Sequence, residues 1–425
     1  MDHFQYRDNQ LYCEEVPVRK IAEQVGTPVY IYSAATLEHH YTSLVEAFVE
    51  IEPLICYSVK SCGNIHICRL MAQLGSGFDM VSGGELYRIL QAGGAADKVV
   101  YAGVGKTDEE IRQAITAGIA CFDVESEAEL ENLRSIATEM EKDVQAALRI
   151  NPDVDAGTHR HTTTGVKETK FGVDLERAKD VFTRFGHVQY LKLNGIHLHL
   201  GSGGDTVNPY IEAIRKALEF IDELRSSGFE INILNIGGGY AADYTTGQSP
   251  SAVDYAEAIV PLLRGKQLQL IMEPGRTIAA NAGILVTKVL YTKRGGEKHF
   301  VIIDGAMNDL IRPALYEAFH FIWPVQVANG YAIKERSKTV SIPGTQKVDV
   351  VGPICESSDF LAKDRLLPPL ARGDLLSVFT AGAYGFAMSS QYNSRPRAAE
   401  VLVEGSDFRV IRRRESYEDL IALEK

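Results

Sequence analysis

Eight short segments in the first two thirds of the chain are almost continuously apolar: PLICYSV (53–59), GFDMVS (77–82), VVYA (99–102), CFDVE (121–125), QAALRI (145–150), LNGIHLHL (193–200), ILNIG (233–237) and QLIME (269–273). A strand with one wet face alternates apolar and polar residues, whereas a parallel strand covered on both faces does not. Helical patterns separate most of these segments. After Ser33, residues Leu37, Tyr41, Leu44, Val45 and Phe48 recur at helical spacing on one face, and PYIEAIRKALEFIDELRSSG carries Pro209 near its first turn and stops at Gly228. Strand and helix in alternation predict an α/β fold, a TIM-like (β/α)8 barrel with its helices outside. The interval from Ile150 to Leu193 is longer than the others. Its first part, NPDVDAGTHRHTTTGVKETKFG, is polar and aperiodic and reads as a functional loop, with a helix expected from about Leu175.

Beyond Arg276 the texture changes to strands without regular intervening helices: TIAANAGILVTKVLYTKR, KHFVIIDG, KTVSIPG, KVDVVGP, DLLSVFTAGAYG and AAEVLVEG. Residues 28–276 are therefore expected to form the barrel and 277–425 a β-rich domain, a β-barrel or sandwich. Residues 1–27 join the second domain in this reading, because YRDNQLYCEEVPV has the same strand-and-turn texture, and SYEDLIALEK reads as a terminal helix.

Composition narrows the function. A chain of 425 residues suits two domains, and its 45% hydrophobic and 24% charged residues are ordinary for a globular protein. A net charge of −12 repels a phosphate backbone, so nucleic acid is not an expected partner. The start, MDHFQYRDNQ, lacks a basic stretch followed by an apolar one, and no apolar run approaches the roughly 20 residues that span a bilayer. A cytoplasmic enzyme without membrane contact is expected. Cys13, Cys56, Cys62, Cys68, Cys121 and Cys355 are scattered without CxxC spacing, which supports neither a disulfide framework nor structural zinc.

Barrel sites gather at the carboxyl ends of the strands, and Lys60, Asp79, Arg149, His199, Gly237, Gly238, Gly239 and Glu273 all fall there. Lys60 ends an apolar strand, where partial desolvation can keep an amine reactive toward an aldehyde; it equally marks where a strand meets solvent. The three glycines after ILNI offer unhindered N–H groups to a phosphate, or simply a turn. Glu273, opening EPGR, suits the pyridine nitrogen of pyridoxal phosphate, or an ordinary buried ion pair. His197 and His199 alternate in IHLHLGS, so only one is expected to look into the barrel, which speaks against a joint metal site; His199 then reads as a partner for an aromatic cofactor or as a core histidine.

In order along the chain, YSVKS, FDMVSGGEL, HLHLGS, NIGGGY, EPGR, CESSD and AGAYG resemble the fold-type III pyridoxal-phosphate (PLP) decarboxylases. TGVKETKFG, DGAMNDLIRPALYEAFH and SSQYNSRPRAAEVLV resemble the diaminopimelate decarboxylase family within that class. The resemblance implies PLP-dependent decarboxylation of meso-2,6-diaminopimelate, at its D-configured centre, to L-lysine and CO2. A related decarboxylase of lysine, ornithine or a carboxylated polyamine precursor is the alternative. It implies that Lys60 carries the cofactor, His199 stacks on its ring and Glu273 pairs with its nitrogen, with Asp79 and Arg149 in support. Ser202, Gly239, Gly275, Arg276 and Tyr384 match phosphate-binding positions, while Arg276, Arg312, Tyr316, Glu356 and Tyr384 match substrate-binding ones. It further implies a homodimer with shared active sites, into which Cys355, a proton donor or gate, and Glu356 enter from the neighbouring subunit.

Overall fold

The structure is a computed structural model that describes residues 2–154, 170–201 and 206–425. Its backbone contacts divide it into two units. One comprises His40–Ala241 and Ser249–Arg276; the other takes the chain through His39, Ala242–Gln248 and Thr277–Lys425.

The first unit is a barrel of eight parallel strands: Leu54–Ser58 (β1), Gly77–Met80 (β2), Val99–Tyr101 (β3), Cys121–Val124 (β4), Val144–Asn151 (β5), Leu191–His197 (β6), Ile233–Asn235 (β7) and Gln269–Met272 (β8). Each pairs with the next, and Ile271 and Met272 of β8 lie opposite Leu54 and Ile55 of β1, which closes the ring. Every expected apolar segment supplies one strand. Six of the helices between them start where the sequence offers a side-chain cap: Asn64, Ser82, Thr107, Ser126, Asp174 and Ser251 each accept a backbone N–H of the first helical turn. The expected helix after the long loop spans Leu175–Phe185, and the one near Pro209 spans Asn208–Ser226. Among the described residues, no helix is long and apolar enough to cross a membrane.

The second unit is built on a branched nine-stranded sheet. Its spine is the long strand Gly283–Gly295, which pairs with Lys298–Ile303 at one end and with both Val29–Ser33 and Leu375–Val378 at the other. Tyr30, Tyr32, Phe321 and Trp323 are its largest buried side chains. The strand Val29–Ser33 also pairs in parallel with Ala399–Val403, and so this unit reaches past residue 27, where the domain change was expected. A three-stranded sheet, Phe4–Arg7, Gln10–Cys13 and Val16–Pro17, belongs to the same unit. The terminal helix is a single turn, Tyr417–Leu420, and the expected strand KTVSIPG is not formed, its proline and glycine lying in a turn.

Candidate active site

Side chains two residues apart along a strand share a face. In the barrel Cys56, Cys121, Ala147, Ile233 and Ile271 form an apolar floor, and two residues further along their strands stand Ser58, Asp123, Arg149, Asn235 and Glu273. Asp79 and His197 occupy the same level on the β2 and β6 strands, and all seven of these polar residues are buried. The interior is thus apolar at its amino end and polar at its carboxyl end, where the chemistry of such barrels is placed. A cavity of about 230 Å³ opens instead at the amino end, lined by Leu54, Gly118, Ile119, Cys121 and Ile271 among others; it holds none of the polar layer.

The chain leaves β1 through a short turn, Val59–Ser61, that carries Lys60. Lys60 Nζ donates to Asp79 Oδ2 at 2.6 Å, and Ser58 Oγ donates to the same oxygen. The lysine side chain is 31% exposed and the aspartate fully buried, so the amine is reachable while its partner is not. Arg149 bonds Glu125 Oε1 at 2.8 Å and the His199 carbonyl at 3.3 Å, and Glu125 Oε2 accepts the Gly172 N–H at 3.0 Å. This buried pair ties β4, β5 and the chain after β6 together.

His199 Nδ1 accepts the Gly238 N–H at 3.2 Å. Burial, then the charges of Arg149 and Lys60, holds its pKa well below the ordinary histidine value, so it is a neutral ring with its proton on Nε2. The three glycines after β7 are dictated by crowding: an added Cβ would lie 2.2 Å from the Leu198 carbonyl oxygen at Gly237, 2.3 Å from that of Glu273 at Gly238 and 2.1 Å from that of Gly201 at Gly239. Gly237 and Gly239 also have positive φ, +67° and +97°. At Gly275 the added atom would meet Ser58 Cβ at 2.8 Å. Arg276 opens the helical turn Arg276–Ala279. Glu273 Oε1 accepts from Asn235 Nδ2 at 2.6 Å, and its carboxyl is pushed up to about 7, first by burial and then by Asp79.

The second unit carries the remaining candidates. Arg312 and Tyr316 bracket one short helix and share its face; the Arg312 guanidinium, 7% exposed, bonds the Tyr244 hydroxyl and lies 5.0 Å from the centre of that ring. Cys355 is exposed, and its N–H donates to Asn393 Oδ1 at 3.1 Å. The Glu356 carboxylate accepts from the Tyr392 and Ser358 hydroxyls, which lower its pKa. Asp359 fixes this turn, its two oxygens accepting the N–H groups of Ile354 at 2.6 Å and Met307 at 2.7 Å. Tyr384 has a left-handed backbone, φ 55°, in the tight turn AGAYG.

The family "Pyridoxal-dependent decarboxylase, pyridoxal binding domain" matches residues 34–280. The Haemophilus influenzae diaminopimelate decarboxylase is 47% identical over 425 residues, 100% of this chain and 99% of that one. The chain belongs to the diaminopimelate decarboxylase family. Solved structures agree: the M. jannaschii diaminopimelate decarboxylase in complex with L-lysine superposes with a TM-score of 0.92 at 36% identity, covering 100% of this chain and 98% of that one. The Helicobacter pylori diaminopimelate decarboxylase complexed with L-lysine gives 0.89 at 39% identity, covering 96% and 98%.

Set against this family, the barrel brings Lys60, Asp79, Arg149, His199, Gly237, Gly238, Gly239 and Glu273 to one end, as the strand ends suggested. Ser202 lies outside the described residues. One expectation is overturned: His197 and His199 do not face apart. Two residues of separation means the same side, and the Nδ1 or Nε2 atoms of both come within 4.8 Å of a Glu273 oxygen and of each other. The sequence reading also passed over Asp123, Glu125 and Asn235, buried polar residues at strand ends. Their signal was present: each interrupts an apolar run two residues beyond a floor position or at the strand's last step.

Proposed function

We propose that this chain decarboxylates meso-2,6-diaminopimelate to L-lysine and CO2, the last step of lysine formation, with pyridoxal 5'-phosphate as cofactor. The observation that carries the reading is the polar end of the barrel. A reachable amine, Lys60, a buried acid, Glu273, a neutral ring, His199, and a glycine turn too crowded for any side chain converge there. These are the donors an aromatic aldehyde bearing a phosphate requires. Bound there, the cofactor supplies an aromatic electron sink for the pair of electrons left when a carboxylate departs as CO2.

In this proposal Lys60 would hold the cofactor through its aldehyde carbon, and Glu273 would keep the pyridine nitrogen protonated. His199 packs against the ring without adding charge. The Gly237–Gly239 and Gly275 backbones, with Arg276, Tyr384 and Ser202, take the phosphate. Arg276, Arg312 and Tyr316 grip the distal carboxylate, and Glu356 and Tyr384 orient the distal ammonium end. Cys355, from the neighbouring subunit of a cytoplasmic homodimer, delivers the proton to the reacting carbon. An arginine placed to receive a carboxylate forms no charge-assisted bond with the distal end of lysine or ornithine, which penalises them.

Two measurements test this. Borohydride reduction of the purified yellow protein followed by peptide mapping should label Lys60, and label on a different lysine would overturn the site. CO2 release from meso-diaminopimelate should exceed that from L-lysine or L-ornithine by about 10^4-fold in kcat/KM; comparable rates would move the chain to the decarboxylases of basic amino acids.

A further inference from the structure

Beneath the groups assigned above lies a second carboxyl that the proposed chemistry does not use. Asp123, on the β4 strand, is fully buried, and Glu273 is 2% exposed. Asn235 Nδ2 donates to Asp123 Oδ2 at 2.9 Å and to Glu273 Oε1 at 2.6 Å, so a single nitrogen clamps both carboxyls. The orientation of that amide is fixed, because Asn235 Oδ1 accepts the Gly237 N–H at 2.9 Å and a flipped amide would set donor against donor. The imidazole of His197 spans the pair from the other side: Nδ1 lies 3.8 Å from Asp123 Oδ1 and Nε2 lies 3.7 Å from Glu273 Oε1.

We infer that Asp123 is the proton-holding partner of Glu273: the two acids carry one proton between them, Asp123 keeps it, and Glu273 is thereby free to present a full negative charge to the cofactor's pyridine nitrogen. The inference rests on the PLP reading of the site and deepens it. Asp123 and Asn235 are positioning residues in this scheme, since they act through Glu273.

Among the described residues, the cations nearest the pair, Lys60, Lys106 and Arg149, are each engaged by another carboxylate. His197 is held neutral, its pKa well below the ordinary value through burial and the nearby cations Arg149, Lys60 and Lys106. Lys106 Nζ donates to the Asp123 backbone carbonyl at 2.8 Å, but it is already paired with Glu129 at 2.5 Å. Lys60 is paired with Asp79, itself a further negative neighbour. The groups on the floor below are the thiols Cys56 and Cys121. Two buried carboxylates in contact with one amide and a neutral imidazole cannot both ionise cheaply, and the deeper one retains the proton. Burial and then Glu273 push Asp123 well above the ordinary carboxyl range against the pull of Lys106, whereas Glu273 is raised to about 7 by burial and Asp79, with Lys60 favouring its charged form.

The test uses the full chain, first free of cofactor. Infrared difference spectra at neutral pH between wild type and Asp123→Asn should show a protonated carboxyl band that shifts in D2O; Glu85 and Asp309, both held up to about 7, cancel in the subtraction. Selective labelling of aspartate with 13C in the wild type gives the same reading without a substitution, as an isotope-shifted acid band present at neutral pH, where an ordinary aspartate is ionised. Absence of that band from the labelled wild type overturns the inference. With 15N-labelled cofactor, the ring nitrogen should stay protonated in Asp123→Asn, whose amide still donates to Glu273. It should move toward the neutral pyridine signal in Asp123→Leu, which has no donor. An unchanged ring signal in Asp123→Leu also overturns it. A chain that takes up no cofactor would sink the proposed function while leaving the infrared result to stand or fall alone.

Discussion

Arg149 and Glu125 show how much can rest on one pair of residues. Both are almost wholly buried, and among the described residues Glu125 would keep only the Gly172 N–H if the guanidinium were removed. Arg149→Ala is expected to cost about 3–5 kcal/mol of stability in urea unfolding, because it strands a buried charge. Arg112→Ala, which breaks the exposed pair with Glu139, should leave the urea midpoint almost unchanged. Equal effects would contradict the burial argument. Asp309 gives a prediction in pH. Burial lifts its carboxyl to about 7 against the restraining Ala306 N–H bond, and its Oδ1 accepts no hydrogen bond among the described residues. A raised carboxyl means that the folded chain binds more protons than the unfolded one between pH 3.8 and about 7. Its stabilising contribution is present below the lower value and is lost as pH rises through the upper one. Asp309→Asn should therefore be more stable than wild type by roughly 2–4 kcal/mol at slightly alkaline pH and should show no such gain in acid. Urea midpoints at the two ends of that window decide it, and parallel pH profiles would refute the assignment.

At the scale of elements, the turn after β7 is set by three carbonyls that crowd it rather than by any side chain of its own. Gly238→Ala would drive a methyl against the Glu273 carbonyl and pull the Gly238 N–H from His199. We expect a loss of about 1–3 kcal/mol from overpacking and at least a tenfold weaker uptake of PLP in absorbance titrations; wild-type uptake would show that the turn is a spacer only. The eight barrel strands were legible because burial on both faces leaves a continuous apolar signature that a strand with one wet face does not carry. The strand-end residues were legible for the same reason: Lys60, Asp79 and Glu273 break that signature where the barrel opens. Asp123 and Asn235 break it too, but a polar residue inside an apolar run is readable as chemistry only once the period of two is carried across all eight strands, and that count also places His197 beside His199. The sheet joined by VYIYS at 29–33 was not legible, since an apolar strand does not say which neighbour it pairs with; the pairing to Gly283–Val286 and Ala399–Val403 is decided by tertiary contacts far along the chain. Val45 lies at the margin of its helix's apolar stripe and is 42% exposed.

For the whole molecule, the proposed assembly makes a sharper demand than any single substitution. Lys60 belongs to the barrel unit, whereas Cys355 and Glu356 belong to the β-rich unit, on an exposed turn that Asp359 holds in shape. If the neighbouring subunit completes each site, a twofold dimer pairs Lys60 of one subunit with the partner subunit's Cys355. Lys60→Ala and Cys355→Ala chains are each expected to lose nearly all turnover. Unfolded together and refolded as a mixture, half of the dimers would be hybrid, and each hybrid would carry one site with both substitutions and one with neither. About a quarter of wild-type activity should then return, from two chains that are inactive alone. Sites built within single chains would give no recovery at any mixing ratio. Sedimentation of the mixture must show dimers for the comparison to count, and dilution below the dimer's dissociation constant should abolish the recovered activity together with that of the wild type. The outcome separates a shared site from a self-contained one without reference to which amino acid is the substrate.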